Sequence, residues 1–84
     1  MYPQSNVRHM QFNQLQTGDS AVVQGFNDVP ESYRNRLMSL GLTPGTTFTV
    51  QHRAPLGDPI AILVRGFRLS LRGHEAGKMQ VDKL

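Results

Sequence analysis

The stretch LMSLGLTPG, residues Leu37–Gly45, decides how this chain folds. Upstream of its first glycine, apolar residues recur at intervals of four, four and three: Val29, Tyr33, Leu37 and Leu40. That spacing forms one apolar face of a helix. Gly41 follows the apolar face directly, and a glycine there can take the left-handed conformation that ends a helix. The stretch therefore predicts a helix that ends at Gly41.

The residues after the helix predict a rigid corner. Leu42 would occupy the position where an apolar side chain often packs back on the last helical turn. Pro44 and Gly45 suit the two central positions of a type II turn. We therefore expect Gly41, Pro44 and Gly45 to be structural turn residues, as is Gly57 in the later loop APLGDPI.

Strand patterns flank this corner on both sides. The segment 21–26 is rich in β-branched residues, and 46–53, 60–64, 67–72 and 79–84 follow the corner. Phe48, Val50 and His52 share one face by alternation, as do Phe67, Leu69 and Leu71 on the inner face of a later strand. About five short strands, with a helix inserted after the first, predict a mainly β protein closing into a small barrel.

One domain accounts for the 84 residues. We assign residues 1–11 to a flexible N-terminal tail and 12–84 to the domain. The chain has no cysteine and no run of apolar residues long enough to span a membrane, and its first residues lack the apolar stretch of a signal peptide. We therefore expect a cytoplasmic protein.

Catalytic and metal-binding motifs are missing from the sequence. There is no serine-centred elbow, no glycine-rich phosphate loop and no histidine pair at metal-ligand spacing, so we expect no enzyme. The weak metal candidates are His52, His74 and Glu75. His74 and Glu75 are adjacent, so on a strand they would point to opposite faces, whereas on a turn they could converge. We expect no cofactor and no high-affinity iron site, although an imidazole can bind a transition metal weakly.

Arginines crowd the second half of a chain whose net charge is +3. Arg68 and Arg72 lie on the same side of one predicted strand, and Arg65 precedes it. Such residues can form a solvated edge that blocks aggregation, or a patch for an acidic partner. Nucleic acid is not expected as a partner, because the aromatic residues lie at core-type positions rather than on a stacking platform.

A protein partner is the most specific function that the residues suggest. Apolar residues cluster at the corner: Leu37, Met38, Leu40 and Leu42. Met38 lies off the apolar face, and Leu56 and Asp58 lie on a loop that two prolines stiffen. We predict that these six residues contact a partner. For Leu56 a second interpretation stays open, in which it folds back over the mouth of the barrel.

Three features in this order resemble the FeoA family: a helix followed by LGLTPG, the loop APLGDPI, and the segment RGFRLSLRGHEA. The resemblance covers Phe12 to the C-terminus. It implies an SH3-like barrel that is cytoplasmic and non-enzymatic. It also implies that the protein binds and modulates the ferrous iron transporter FeoB at its cytoplasmic, GTP-binding part, with only an indirect association with the membrane.

Two alternatives remain open. The same barrel resembles the C-terminal domain of DtxR-type repressors, which would imply a module that senses or binds a transition metal. An adaptor that recognises peptides in an SH3-like groove is the other alternative.

Overall fold

Antiparallel β-strands dominate the computed structural model, which describes residues 8–84. The strands are β1 (Arg8–Gln11), β2 (Ser20–Gly25), β3 (Thr47–Arg53), β4 (Ile60–Val64), β5 (Phe67–Leu71) and β6 (Gln80–Lys83). The helices are a 3-10 helix (Phe12–Gln14), α1 (Glu31–Ser39) and α2 (Gly73–Ala76). No helix in the described part of the chain is both long enough and apolar enough to cross a membrane.

The six strands form one sheet in the order β1-β6-β2-β3-β4-β5. Within residues 8–84, β1 and β5 lie at the two ends of the sheet and do not pair with each other. The prediction of a small, mainly β, SH3-like fold is confirmed, with α1 inserted after the strand predicted at 21–26. The sheet is not closed, and it has one strand more than expected.

The additional strand is β1, which corrects the assignment of residues 8–11 to a flexible tail. It pairs with β6, so that Arg8 is opposite Lys83 and Gln11 is opposite Gln80. Strand pairing uses backbone groups that every residue except proline carries, and the sequence RHMQ shows no alternation that would indicate it. Residues 1–7 of the predicted tail lie outside the described residues.

The core lies between the inner face of the sheet and the segments that cover it. Its largest fully buried side chains are Phe12, Phe48, Leu15, Leu37, Leu42, Ile60, Ile62 and Met79. The rings of Phe12 and Phe48 pack at a centroid distance of 5.7 Å. Phe12 therefore ties the 3-10 helix to β3, and α1 reaches the core through buried Leu37, with half-buried Tyr33 packed against it.

Two side chains predicted to face inward do not lie in the core. His52 is exposed because a β-bulge between Val50 and His52 shifts the β3–β4 register and rotates the strand after Val50. Phe67 pairs with buried Val64 but is 71% exposed, because β5 is the end strand and nothing among residues 8–84 covers it.

Candidate functional site

Two backbone hydrogen bonds at the end of α1 build the corner that follows it. The Gly41 N–H donates to the Met38 carbonyl at 3.0 Å, and the Leu42 N–H donates to the Leu37 carbonyl at 3.1 Å. Gly41 has a φ of +102°. This pair of bonds across a left-handed residue is the Schellman motif, which satisfies carbonyls at the helix end. The predicted helix end at Gly41 is therefore confirmed.

A tight turn follows and fastens the corner to the sheet. The Thr46 N–H donates to the Thr43 carbonyl at 3.0 Å, and Gly45 between them has a φ of +93°, as a type II turn requires. The Gly45 N–H donates to the Val23 carbonyl at 2.8 Å, and the Val23 N–H donates to the Thr46 carbonyl at 2.9 Å. The corner therefore has a fixed position against β2.

The apolar residues of the corner divide into buried and accessible ones. Leu37 and Leu42 are 1% and 0% exposed, so they support the corner from the core and cannot contact a partner. This corrects their assignment as contact residues: burial of the two side chains stabilises the corner itself. Met38 and Leu40 are each 38% exposed, and they form the accessible apolar part of the corner.

The loop Ala54–Pro59 is held against the 3-10 segment by a residue that the sequence analysis did not single out. The guanidinium of Arg53 donates through Nη1 to the carbonyls of Asn13, at 2.9 Å, and Leu15, at 2.5 Å. Its Nη2 donates to the Gly57 carbonyl at 3.3 Å. One side chain therefore joins the loop to a segment about forty residues earlier, and the planar fork of arginine suits such multiple contacts.

The other end of the loop is attached to α2 through Asp58. Its Oδ1 accepts the Gly73 N–H at 2.6 Å, and its Oδ2 lies 3.9 Å from Arg72 Nη1. Leu56, between these two attachments, is 96% exposed. The interpretation in which Leu56 folds back over the barrel is therefore wrong, and its contact with a partner stays a prediction, as does that of Asp58.

The corner and the loop, which together make up the predicted partner surface, are attached to different parts of the fold. The corner is bonded to β2, while the loop is bonded to the 3-10 segment and α2. The turn between β4 and β5 lies beside the corner, because Arg65 Nη2 donates to Thr46 Oγ1 at 3.4 Å. Phe67, which follows this turn, was predicted from strand alternation to face inward, but it is exposed.

Of the three candidate metal ligands, His74 and Glu75 make contacts with α1, and His52 lies elsewhere, on β3. Glu75 accepts a hydrogen bond from Arg36 Nη1 at 3.0 Å, and the ring of His74 meets Tyr33 edge to face at 5.9 Å. Both contacts join α2 to α1, whereas His52 lies on β3. Among residues 8–84, no group of three or more histidine, cysteine, aspartate or glutamate side chains is arranged to hold a metal ion.

A small antiparallel sheet with an inserted helix, a rigid corner and exposed apolar side chains on anchored loops defines the class: an SH3-like β domain. The family model described as the FeoA domain matches residues 10–83. The chain belongs to the FeoA family.

Two solved FeoA structures resemble the chain closely. The solution structure of the FeoA protein from Chlorobium tepidum is 39% identical, with a TM-score of 0.80 over 89% of this chain and 70% of that one. A zinc complex of Stenotrophomonas maltophilia FeoA, described as a procaryotic SH3 domain protein, is 30% identical. Its TM-score is 0.75 over 87% of this chain and 89% of that one.

A longer relative associates the family with ferrous iron transport. It is the fusion of Fe(2+) transport protein A with Fe(2+) transporter FeoB from Porphyromonas gingivalis. The match is 34% identical over 73 residues and covers 87% of this chain but only 8% of the relative. A manganese-dependent transcriptional repressor shares the fold at 20% identity, with a TM-score of 0.79 over 98% of this chain and 44% of that one.

Proposed function

We propose that this protein is a non-enzymatic accessory protein that binds FeoB from the cytoplasmic side and modulates ferrous iron uptake. The observation that supports this most directly is the Porphyromonas gingivalis relative, in which a FeoA-like part and FeoB belong to one polypeptide. A covalent link keeps two modules at high effective concentration, so modules joined in one species are good candidates to bind each other when they are separate. We propose the GTP-binding part of FeoB as the binding site.

Met38, Leu40 and Leu56 are the proposed contact residues. Each is apolar and exposed, and each belongs to a segment whose backbone is bonded to the rest of the fold. A leucine as exposed as Leu56 contributes nothing to the core, whereas a partner that buries it gains about 1.5–3 kcal/mol of hydrophobic free energy. Rigid support keeps the entropy lost on binding small.

The first experiment is a titration of the isotope-labelled chain with the soluble GTP-binding part of FeoB from the same organism, followed by amide NMR shifts. We expect shifts concentrated at 38–45 and 55–59, around the exposed corner residues and the loop tip. Shifts spread elsewhere on the sheet would contradict the proposed surface. Unchanged spectra at high concentrations of both proteins would contradict the proposed binding to this part of FeoB.

Leu56→Asp should weaken binding to FeoB about tenfold or more, because a charge replaces an apolar contact at the interface. Stability should stay unchanged, since the side chain is 96% exposed. The matched control is Leu84→Asp, the same substitution at a leucine that is 65% exposed and directly follows β6. Calorimetry gives both affinities, and thermal unfolding checks both folds. Equal affinities for the two variants would show that Leu56 is not part of the interface.

A transition-metal-sensing module is the alternative, supported by the zinc complex of the Stenotrophomonas maltophilia protein. For this chain we expect any Fe(II) or Zn(II) binding to be weaker than about 1 μM, because a lone imidazole such as His52 or His74 supplies one ligand. Anaerobic calorimetry measures the affinity. Binding with a dissociation constant below micromolar, lost in His74→Ala, would favour the sensing alternative over the proposed function.

A further inference from the structure

The outer edge of β5 is the feature of the sheet that the proposed function leaves unexplained. β5 is the end strand, and within residues 8–84 only β4 pairs with it. The two strands are joined by Arg65 and Gly66, whose φ values of 51° and 82° are those of a type I′ turn. In such a two-residue hairpin, the flanking residues Val64 and Phe67 form a hydrogen-bonded pair.

The alternation of pair types along the ladder between β4 and β5 shows which backbone groups of β5 point away from β4. Hydrogen-bonded and non-hydrogen-bonded pairs alternate along an antiparallel ladder. The pairs Leu63–Arg68 and Ala61–Ser70 are therefore non-hydrogen-bonded. The N–H and C=O groups of Arg68 and Ser70 point away from β4, out of the sheet edge. These two residues offer the hydrogen bonds that an additional strand would need.

The side chains along this edge favour an acidic partner. Residues 60–72 contain three arginines and no aspartate or glutamate. Within residues 8–84, no carboxylate lies within ion-pair distance of Arg65 or Arg68, and Arg72 approaches only Asp58, at 3.9 Å. Residues 1–7 contain no acidic side chain either. The positive charge at the start of β5 is therefore uncompensated within the chain.

The opposite face of the same strand is apolar. Phe67 is 71% exposed and Leu69 is half-buried against the core. Side chains on an added strand would alternate between these two faces. Those beside Arg68 would favour carboxylates, and those beside Phe67 and Leu69 would favour apolar groups.

We propose that the edge of β5 binds an extended peptide segment in which acidic and apolar residues alternate, by adding it as a seventh strand to the sheet. This interaction does not depend on FeoB being the partner, and it uses a surface other than the corner and the loop. The arginines then act as recognition groups. A purely protective role, in which edge charges only prevent aggregation, predicts no strand addition.

The test uses the whole chain and two synthetic peptides with blocked ends, EVEVEVE as the probe and KVKVKVK as the charge-reversed control. Amide hydrogen exchange followed by NMR should show that saturating EVEVEVE slows exchange at Arg68 and Ser70 about tenfold or more. KVKVKVK should leave both amides unchanged. Unchanged exchange at both amides in saturating EVEVEVE would overturn the proposal.

Two variants separate backbone pairing from charge attraction. Ser70→Pro removes an outward N–H and is tolerated on an edge strand, while Ser70→Ala keeps the N–H and serves as the matched control. We expect Ser70→Pro to weaken EVEVEVE binding about tenfold relative to Ser70→Ala. Arg68→Glu, which leaves the backbone intact, should abolish EVEVEVE binding and allow KVKVKVK to bind. Equal binding by the two Ser70 variants, or an unchanged preference in Arg68→Glu, would contradict strand addition at this edge.

Discussion

Gly41→Val should lower the free energy of unfolding by about 2 kcal/mol or more, because a β-branched residue resists the positive φ found there. A Cβ at this position would meet no atom within 4 Å, so the cost comes from the backbone conformation and not from a steric clash. For a domain of this size the melting temperature should fall by about 8–16 °C. Thermal unfolding followed by circular dichroism measures it.

Gly41→Asn is the matched control for this substitution. Asparagine enters the left-handed region several times more often than other residues, so this variant should keep most of the stability. Equal melting temperatures for the valine and asparagine variants would show that the Schellman geometry is not what stabilises the corner. Loss of this geometry would also displace Met38 and Leu40, so the valine variant should lose affinity for the proposed partner, FeoB.

Arg53→Ala is the second substitution with a large expected effect, a loss of about 2–3 kcal/mol of unfolding free energy. It removes the donor from three carbonyls at once, those of Asn13, Leu15 and Gly57. It also releases the loop Ala54–Pro59 from the 3-10 segment. Denaturant unfolding measures the first effect, and faster amide exchange at Gly57 reports the second.

The comparison for Arg53 is Arg68→Ala, because Arg68 lies on the exposed edge strand and has no carboxylate within ion-pair distance among residues 8–84. We expect a change within about 0.5 kcal/mol there. Arg53→Lys keeps the charge but cannot reproduce the fork of donors, and it should lie between the two. If Arg53→Ala were as stable as Arg68→Ala, the three hydrogen bonds would contribute nothing net to folding.

Short-range features of this fold follow from the sequence because their causes are local. The helix end at Gly41 and the turn at Gly45 depend on a few adjacent residues, as does the two-residue hairpin turn at Arg65 and Gly66, where both φ values are positive. A spacing of apolar residues likewise identified Leu37 as a residue of the helical apolar face. All of these features depend on residues that lie close together in the sequence, where residue propensity and apolar spacing are informative.

Features that depend on distant pairing could not be predicted in this way. β1 exists because its backbone pairs with β6, about seventy residues later, and no local pattern indicates it. The exposure of His52 results from a bulge, and a bulge reverses the faces of all later residues in a strand. Phe67 alternates as a core residue would, but only the strand order reveals that it lies on the end strand.

The predicted contact residues show the same difference between features with local causes and features that depend on distant contacts. Met38 could be identified from the sequence because it lies off the apolar face of the helix. The contacts of Arg53 are with residues 38 and 40 positions away in the chain, so the local spacing of residues does not indicate them. Leu42 was assigned to the surface by its place in an apolar cluster, yet it is buried. Sequence spacing locates the corner, and only packing determines which of its side chains point outward.

The double attachment of the loop Ala54–Pro59 has a consequence for the rate of recognition. Arg53 holds one part of the loop and Asp58 holds the other, so Leu56 is presented without a prior ordering step. Association should then follow a single exponential whose rate rises linearly with partner concentration, with no plateau from a slow conformational change. Releasing the loop through Arg53→Ala should slow association, whereas Leu56→Asp should mainly shorten the lifetime of the complex.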